Sequence, residues 1–400
     1  MPDPALQPPP SAARNIYSFG LTSFFNDTAT EMAYWVLPAF LVSLGAGPAQ
    51  LGLIEGIAES VASFAKLFSG YLTDRLESRK PLVVAGYFVA NAVKPLLAIV
   101  TAWWQILLIR FADRSAKGVR GAPRDVMVAE SVGKQRLGSA YGLIQSMDSA
   151  GAIAGPLAAL VLLARYSLRT VFWAAAVPGA LAVLVAVFGI QETHRRASEE
   201  AGVTPATKSA ATPVAATWRL SPGFFMVLAA VTLFSLGNSS DMFLVMRAQN
   251  VGIPVSLAPL LGLVFNLTYT LGSWPAGWFS DYFSRRWIAA AGYLIFAGVY
   301  YVFGRAPSPL AIWITMAVYG VYYALTQPTL KALIVDTVAS EVRGRALGIY
   351  FFATSVATLA ASLITGELWK HYGASLPFYL SAALAALSAL LLLCTPKATK

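Results

Sequence analysis

Two short signatures recur about half the chain apart, and each closes an apolar segment. The first reads Gly70-Tyr-Leu-Thr-Asp74-Arg75 with Arg79 and Lys80 just beyond; the second reads Gly277-Trp-Phe-Ser-Asp281 with Arg285 and Arg286 beyond. A second pair keeps nearly the same offset: Glu130-Ser-Val before Gly138 and Gly142, and Asp336-Thr-Val before Gly344 and Gly348. Repeats at fixed spacing are repeated structural units. The chain is therefore expected to fold as two like halves, each holding several spans.

Composition identifies the solvent. Hydrophobic residues make up 57% of the 400 residues and charged residues 12%, against about 25% charged in a soluble domain, and the mean hydropathy is +0.62. Such a chain is solvated by lipid. About 20 apolar residues cross the hydrocarbon core, and twelve stretches qualify, at approximately 16–44, 51–73, 81–101, 103–124, 137–164, 171–190, 223–246, 257–280, 287–304, 310–335, 346–369 and 376–393. The expected fold is an all-α polytopic membrane protein, with twelve transmembrane helices in two pseudo-symmetric six-helix bundles at 16–190 and 221–394.

Loop charge sets the orientation. Alternate assignment puts Arg14, Arg75, Arg79, Lys80, Lys134, Arg136, Arg195, Arg196, Lys208, Arg219, Arg285, Arg286, Arg343, Arg345, Lys397 and Lys400 on one side. The other side holds Arg165, Arg169, Arg247, Arg305 and Lys370. The positive-inside rule then places both termini in the cytoplasm. This topogenic charge accounts for the net +10, so no nucleic-acid partner is expected.

The polar stretch 191–220, rich in Ala, Thr and Pro, reads as a cytoplasmic linker. Residues 1–15 and 395–400 read as cytoplasmic tails, and the Pro-rich start lacks the basic opening and cleavage site of a signal peptide. One cysteine, Cys394, excludes an internal disulfide or a cysteine zinc cluster. His194 and His371 fall in expected loops on opposite faces, so no metal site, cofactor or Ser-His hydrolase is expected. No G-x-x-x-x-G-K-[ST] loop is present either. The remaining class is a carrier driven by ion or solute gradients, not an enzyme.

Two six-helix halves, a linker and a repeated G-x-x-x-D loop followed by basic residues resemble the major facilitator superfamily, from Ile16 to Leu393. The patches "SFFNDTATEMAYWVLPAFL", "GLIEGIAESVASFAKLFSGYLTDR" and "RFADRSAKGVRGAPRDVMVAES" are similar to a bacterial branch of it, whose fourth span carries D-R-x-x-K-G-x-R-x-x-P-R-D. The resemblance implies a monomeric secondary transporter of the bacterial inner membrane. It would bind a small-molecule substrate between the halves by alternating access, with protons and membrane lipids as its other partners.

Within that resemblance Asp74 faces the amino end of the eleventh span, near Arg343-Gly344-Arg345. A carboxylate there meets unpaired N–H groups and a partial positive charge, a gain of roughly 0.3–1 kcal/mol. The expected conformational latch is Gly70, Asp74, Arg75, Arg79, Lys80, Gly277, Asp281, Arg285 and Arg286. The first copy departs from the family at Glu77 and Ser78. In the fifth span Gly151, Gly155 and Pro156 permit close helix approach and a kink. They also resemble the antiporter motif G-x-x-x-G-P, with Ala158 and Ala159 in place of its last glycines.

Charges inside spans cost about 2.5–3.5 kcal/mol each unless partnered or wet, and most lie in the first half. Asp27 and Glu31 share a face of the first span; Glu55 and Glu59 share one of the second, with Lys66 further along it. Lys94 precedes Pro95 in the third. The fourth carries Arg110, Asp113, Lys117, Arg120 and Arg124 as a stripe with Arg114 beside it. The fifth has Asp148.

Three readings fit. In one, the charges neutralise each other and Arg120 and Arg124 reach the headgroups. In another, Asp27, Glu31, Glu55, Glu59 or Asp148 couple transport to protons, with Asp27 and Glu31 foremost: two carboxylates one turn apart in a low dielectric cannot both ionise cheaply. In the third, Lys94, Arg110 and Arg114 hold an anionic substrate, and Asp241, Asn266 and Tyr269 of the second half add further substrate contacts.

Trp35, Trp103, Trp104, Trp218, Trp313 and Trp369 are expected as interfacial anchors. Tyr34, Phe265, Tyr269, Tyr319, Tyr322 and Tyr323 are expected in the core or lining the cavity. The leading expectation is proton-coupled export of a small organic solute. The alternatives are proton-coupled uptake of an anionic metabolite, or a membrane sensor or assembly partner that moves nothing.

Overall fold

Prolines and glycines punctuate an otherwise continuous helical chain. In the computed structural model, which describes residues 10–75, 78–132, 137–193, 221–282, 284–305, 307–338 and 343–394, the first half contains eight helices. They are α1 (Pro10–Tyr34), α2 (Leu37–Ser43), α3 (Pro48–Arg75), α4 (Lys80–Val93), α5 (Trp103–Ser131), α6 (Leu137–Leu163), α7 (Leu168–Ala174) and α8 (Ala176–Gly189). The second half adds α9 (Pro222–Gly237), α10 (Met242–Asn250), α11 (Ala258–Tyr282), α12 (Arg285–Arg305), α13 (Pro309–Asp336), α14 (Arg343–Tyr372) and α15 (Ser375–Cys394).

Several helices open on proline, whose missing N–H costs nothing in the first turn; α9 is also capped by Ser221, whose Oγ accepts from Phe224 N at 3.1 Å. Pro95 ends α4, and the chain continues as a 3-10 helix over Lys94–Ile99. Residues 194–220 of the linker, the tails at 1–9 and 395–400, and Lys134 and Arg136 lie outside the described residues. So do the side chains of Asp74, Arg75, Gly277, Asp281, Arg343 and Arg345.

Nine helical stretches among the described residues are long and apolar enough to cross a membrane. α1, α3 and α5 are absent from that set: α1 is rich in Asn, Ser and Thr besides Asp27 and Glu31, α3 carries Glu55, Glu59 and Lys66, and α5 carries the arginine-rich run.

Three expected spans are interrupted. The stretch 16–44 breaks between α1 and α2 at Trp35 and Val36, the stretch 171–190 bends between α7 and α8, and 223–246 is unwound at 238–241 between α9 and α10.

The chain forms two compact units. One comprises residues 1–34, 64–100 and 108–216, the other 35–63, 101–107 and 217–400. In the first, α1 packs along α6 and α8, and α4 packs on α8. Glycines make the α1–α6 contact possible: a Cβ on Gly151 would lie 2.5 Å from Phe24 O and 3.1 Å from Asp27 Cβ, and one on Gly155 would lie 2.7 Å from Thr28 O and 2.8 Å from Glu31 Cβ.

In the second unit α12 packs against α13 and α15, α11 against α13, and α9 against α14 and α15. The first part of α3 belongs here. A side chain on Gly52 would strike Ser362 O, one on Gly56 would lie 2.9 Å from Leu359 Cδ1, and one on Gly366 would lie 2.6 Å from Pro48 O. Ser60 Oγ donates to Ser355 O at 3.3 Å.

Candidate functional site

Each unit has a cluster of buried polar side chains. In the first unit, Lys94 sits where Pro95 breaks α4, and it is 4% exposed. Its Nζ donates to Asn91 Oδ1 (3.1 Å), Asn91 Nδ2 donates to Asn26 Oδ1 (3.1 Å), and Asn26 Nδ2 donates to Asp27 Oδ1 (2.9 Å). All three bonds run in one direction, so the amides polarise one another and carry the field of the ammonium to the Asp27 carboxylate.

On its other side Lys94 Nζ lies 3.8 Å from Asp113 Oδ1, and Asp113 Oδ2 lies 3.8 Å from Arg110 Nη1. The Arg110 guanidinium also sits 5.7 Å from the centre of the Tyr34 ring. Arg114 is buried beside them and adds to the positive field on Asp113. A carboxylate flanked by cations is what makes so many charges tolerable away from water.

The fourth-span stripe is thus divided: Arg110, Asp113, Arg114 and Arg120 are buried, Lys117 is exposed and Arg124 is half-buried. Arg120 does not reach the headgroups as expected. It stacks 4.2 Å from the centre of the Tyr87 ring, over Gly86, whose lack of a side chain makes room for it.

Asp27 and Glu31 share the α1 face that meets α6, opposite Gly151 and Gly155. Asp148 lies one turn from Gly151 and feels the like charge of Asp27, opposed by Arg124 and Lys117. The five candidate carboxylates therefore divide between the units: Asp27, Glu31 and Asp148 lie in the first, Glu55 and Glu59 in the second.

Glu55 is fully buried and accepts from Ser240 Oγ at 3.1 Å, at the break between α9 and α10. Most of the charges inside spans lie in the first unit, as expected, but Glu55 and Glu59 pack with the second. Lys66, on the expected Glu55 face, is exposed and in the other unit.

Asp241 stands at that same break, directly before α10, rather than inside a continuous helix. Its Oδ1 accepts from the Tyr319 hydroxyl at 2.6 Å and its Oδ2 from that of Tyr323 at 3.3 Å. The Phe265 and Tyr269 rings stack with centres 6.1 Å apart, and Tyr323 stands edge-on to Phe265 at 5.0 Å. Asn266 is buried between them on α11. Trp35 is no interfacial anchor: it is 2% exposed, lies over Gly262 and packs 6.3 Å from Phe265. Trp369 is buried as well, against Phe243 and Phe378.

Beyond the first signature, a site that sequence reasoning missed holds the basic pair. Arg79 Nη1 donates to both oxygens of Glu130, at 2.6 and 2.7 Å. Glu192 accepts from the backbone N–H groups of Arg79 and Lys80, each at 3.0 Å, and from the Ser78 hydroxyl. It thereby caps α4 from across the unit. Burial opposes ionisation of Glu192, but these donors outweigh it and hold its carboxyl below the usual range.

Two basic residues at a helix amino end oppose the helix dipole, and the two carboxylates compensate them. Gly70 has open space around it; Arg285 and Arg286 begin α12 and are half-buried. His371 is in the last turn of α14, not in a loop, 3.3 Å from Glu367. No group of three or more His, Cys, Asp or Glu able to hold a metal occurs among the described residues.

A family model described as Major Facilitator Superfamily matches the chain over residues 19–247 and 228–400. The chain belongs to that superfamily. It is a multi-pass membrane transporter and not an enzyme. An uncharacterized MFS-type transporter of Methanocaldococcus jannaschii is 31% identical over 393 residues, covering 95% of this chain and 94% of the relative.

A multi-drug resistance efflux pump, PmrA, of Streptococcus pneumoniae is 23% identical over 361 residues, covering 87% and 88%. The crystal structure of a D-xylose-proton symporter superposes with a TM-score of 0.72 at 15% identity, covering 97% of this chain and 98% of the other. That superposition supports the fold.

Proposed function

We propose that this transporter exports a small organic solute by alternating access, in exchange for protons, across the bacterial inner membrane, as a monomer with both termini in the cytoplasm. In this reading α1, α3 and α5 cross the membrane with the nine apolar stretches, giving twelve spans and two six-helix halves. The observation that carries it is the one-directional chain from Lys94 through Asn91 and Asn26 to Asp27. Protonating Asp27 removes the charge that orients these amides, and the change is felt at Lys94, Asp113 and Arg110. A proton is thus linked to the packing of α1, α4 and α5.

Export rather than uptake is favoured by the likeness to an efflux pump and by Gly151, Gly155 and Pro156 of α6. Uptake of an anionic metabolite is less favoured because Asp113 already occupies the space between Lys94 and Arg110. The signature residues Asp74 and Asp281 act as the latch on the cytoplasmic side.

The test is flux in sealed proteoliposomes. Asp27→Asn, Glu31→Gln or their combination should abolish accumulation driven by a pH gradient while energy-independent exchange persists. Undiminished accumulation in the double variant would remove this pair from coupling and leave Asp148, Glu55 and Glu59. Binding without flux in the wild-type protein would identify a sensor.

A further inference from the structure

We propose that Asp241 and the rings around it bind a monovalent organic cation with an aromatic or apolar body. This rests on the exporter reading and names its class of solute.

Asp241 is compensated differently from Asp113. Asp113 lies between Lys94 and Arg110. Among the described residues, the hydrogen-bond donors to Asp241 are two phenols, and the charged side chains acting on it are Glu55 and Glu59, both acidic. An ionised carboxylate has about four acceptor sites, and two are in use. The site therefore carries negative charge and spare acceptors, and an anion would be repelled from it.

The rings add to this preference. Phe265, Tyr269, Tyr319 and Tyr323 lie with neighbouring centres 5.0 to 6.1 Å apart. Ring faces are electron-rich and attract a cation whose charge is spread over a flat body. Tyr319 is fully buried and fixes the carboxylate, whereas Asp241, Tyr269 and Tyr323 are each partly exposed and open to a ligand.

A separate observation points to a missing occupant. Asn238 Oδ1 is buried and makes no hydrogen bond among the described residues. Asn238 belongs to the unwound segment that ends at Asp241. A buried polar atom without a partner calls for an explanation, and a ligand seated at the helix break supplies one. It would meet Asn238 directly or through a carried water.

The experiment compares two xanthene dyes of similar size and opposite charge, rhodamine 6G and fluorescein. Binding to the purified full chain is read by fluorescence polarisation and scored as the part displaced by tetraphenylphosphonium. The wild-type protein should prefer rhodamine 6G by about ten-fold or more, the worth of one charge-assisted contact. Asp241→Asn should lose about ten-fold in rhodamine 6G affinity, and Tyr323→Phe about two- to five-fold, one hydrogen bond to a charged partner being at stake.

Equal binding of the two dyes, preference for fluorescein, or full affinity in Asp241→Asn would overturn the proposal. The wild-type comparison decides it even if the Asp241 variant does not fold. Displaceable rhodamine 6G binding that depends on Asp241 but is never followed by flux would leave the site standing and refute export. Flux of other solutes with dye binding indifferent to Asp241 would refute the site alone.

Discussion

Replacing Gly155 by alanine tests the contact that sets Asp27 and Glu31 against α6. The added methyl would lie 2.7 Å from Thr28 O, 2.8 Å from Glu31 Cβ and 3.0 Å from Met32 N, where ordinary contact begins at 3.4 Å. Two of the three atoms are backbone, so no rotamer change relieves the clash, and α1 and α6 must separate by roughly 0.5–1 Å in a close-packed interior. Overpacking of this kind costs about 1–3 kcal/mol, offset by up to ~1 kcal/mol from the better helix propensity of alanine.

Gly298→Ala provides the reference, because that glycine is exposed on α12 with nothing within 4 Å. It should be neutral or slightly stabilising. The difference between the two variants isolates the steric cost, expected at about 1–3 kcal/mol in SDS-driven unfolding of the purified protein. Gly155→Ala should also slow transport, since Glu31 is among the displaced groups. Equal stability of the two variants would refute the tight α1–α6 packing and, with it, the placement of both carboxylates.

Glu192→Gln should destabilise the protein near neutral pH and lose its effect in acid. The folded carboxyl is held below its ordinary value of 4.5, so its contribution is present above that value and disappears as pH falls through the folded value. Unfolding midpoints of wild type and variant should therefore converge as pH falls through the folded value, and a gap that widens in acid would contradict the capping role. Asp74→Asn should bias the protein inward-open and Arg75→Lys should do less; labelling of a cysteine placed on the cavity wall, in a Cys394→Ser background, should rise from the cytoplasmic side. Unchanged labelling would reject the latch.

Much of this architecture was legible because lipid imposes simple rules. Apolar length located the helices, and the four-residue spacing of Asp27 and Glu31 placed them on one face. Partners distant in sequence were not legible. Glu55 reads as a first-half charge, yet its hydrogen bond is to Ser240, because Gly52 and Gly56 bring the start of α3 onto α14. Trp35 reads as an interfacial anchor because tryptophan favours that depth, but Gly262 leaves a flat space that only a neighbouring ring can fill.

The break at 238–241 had a signal in Gly237-Asn238 that apolar periodicity overrode; the break at Trp35 and Val36 had only Pro38 beyond it. Glu192 was absorbed into the linker, although a lone carboxylate just past the sixth span was the available counterpart to Arg79 and Lys80. Resemblance to the superfamily supplied the fold, and only the side-chain geometry separated Asp113, held between two cations, from Asp241, held by two phenols.

The most direct measurement of proton-coupled transport is made on the wild-type protein in sealed proteoliposomes holding a pH-sensitive dye. An imposed pH gradient should drive accumulation of a bound organic cation against its own gradient, and adding that solute alone should move protons in the opposite direction. Both signals should vanish with a proton ionophore and in Asp27→Asn. Accumulation that survives collapse of the pH gradient, or solute movement without any proton movement, would contradict the account.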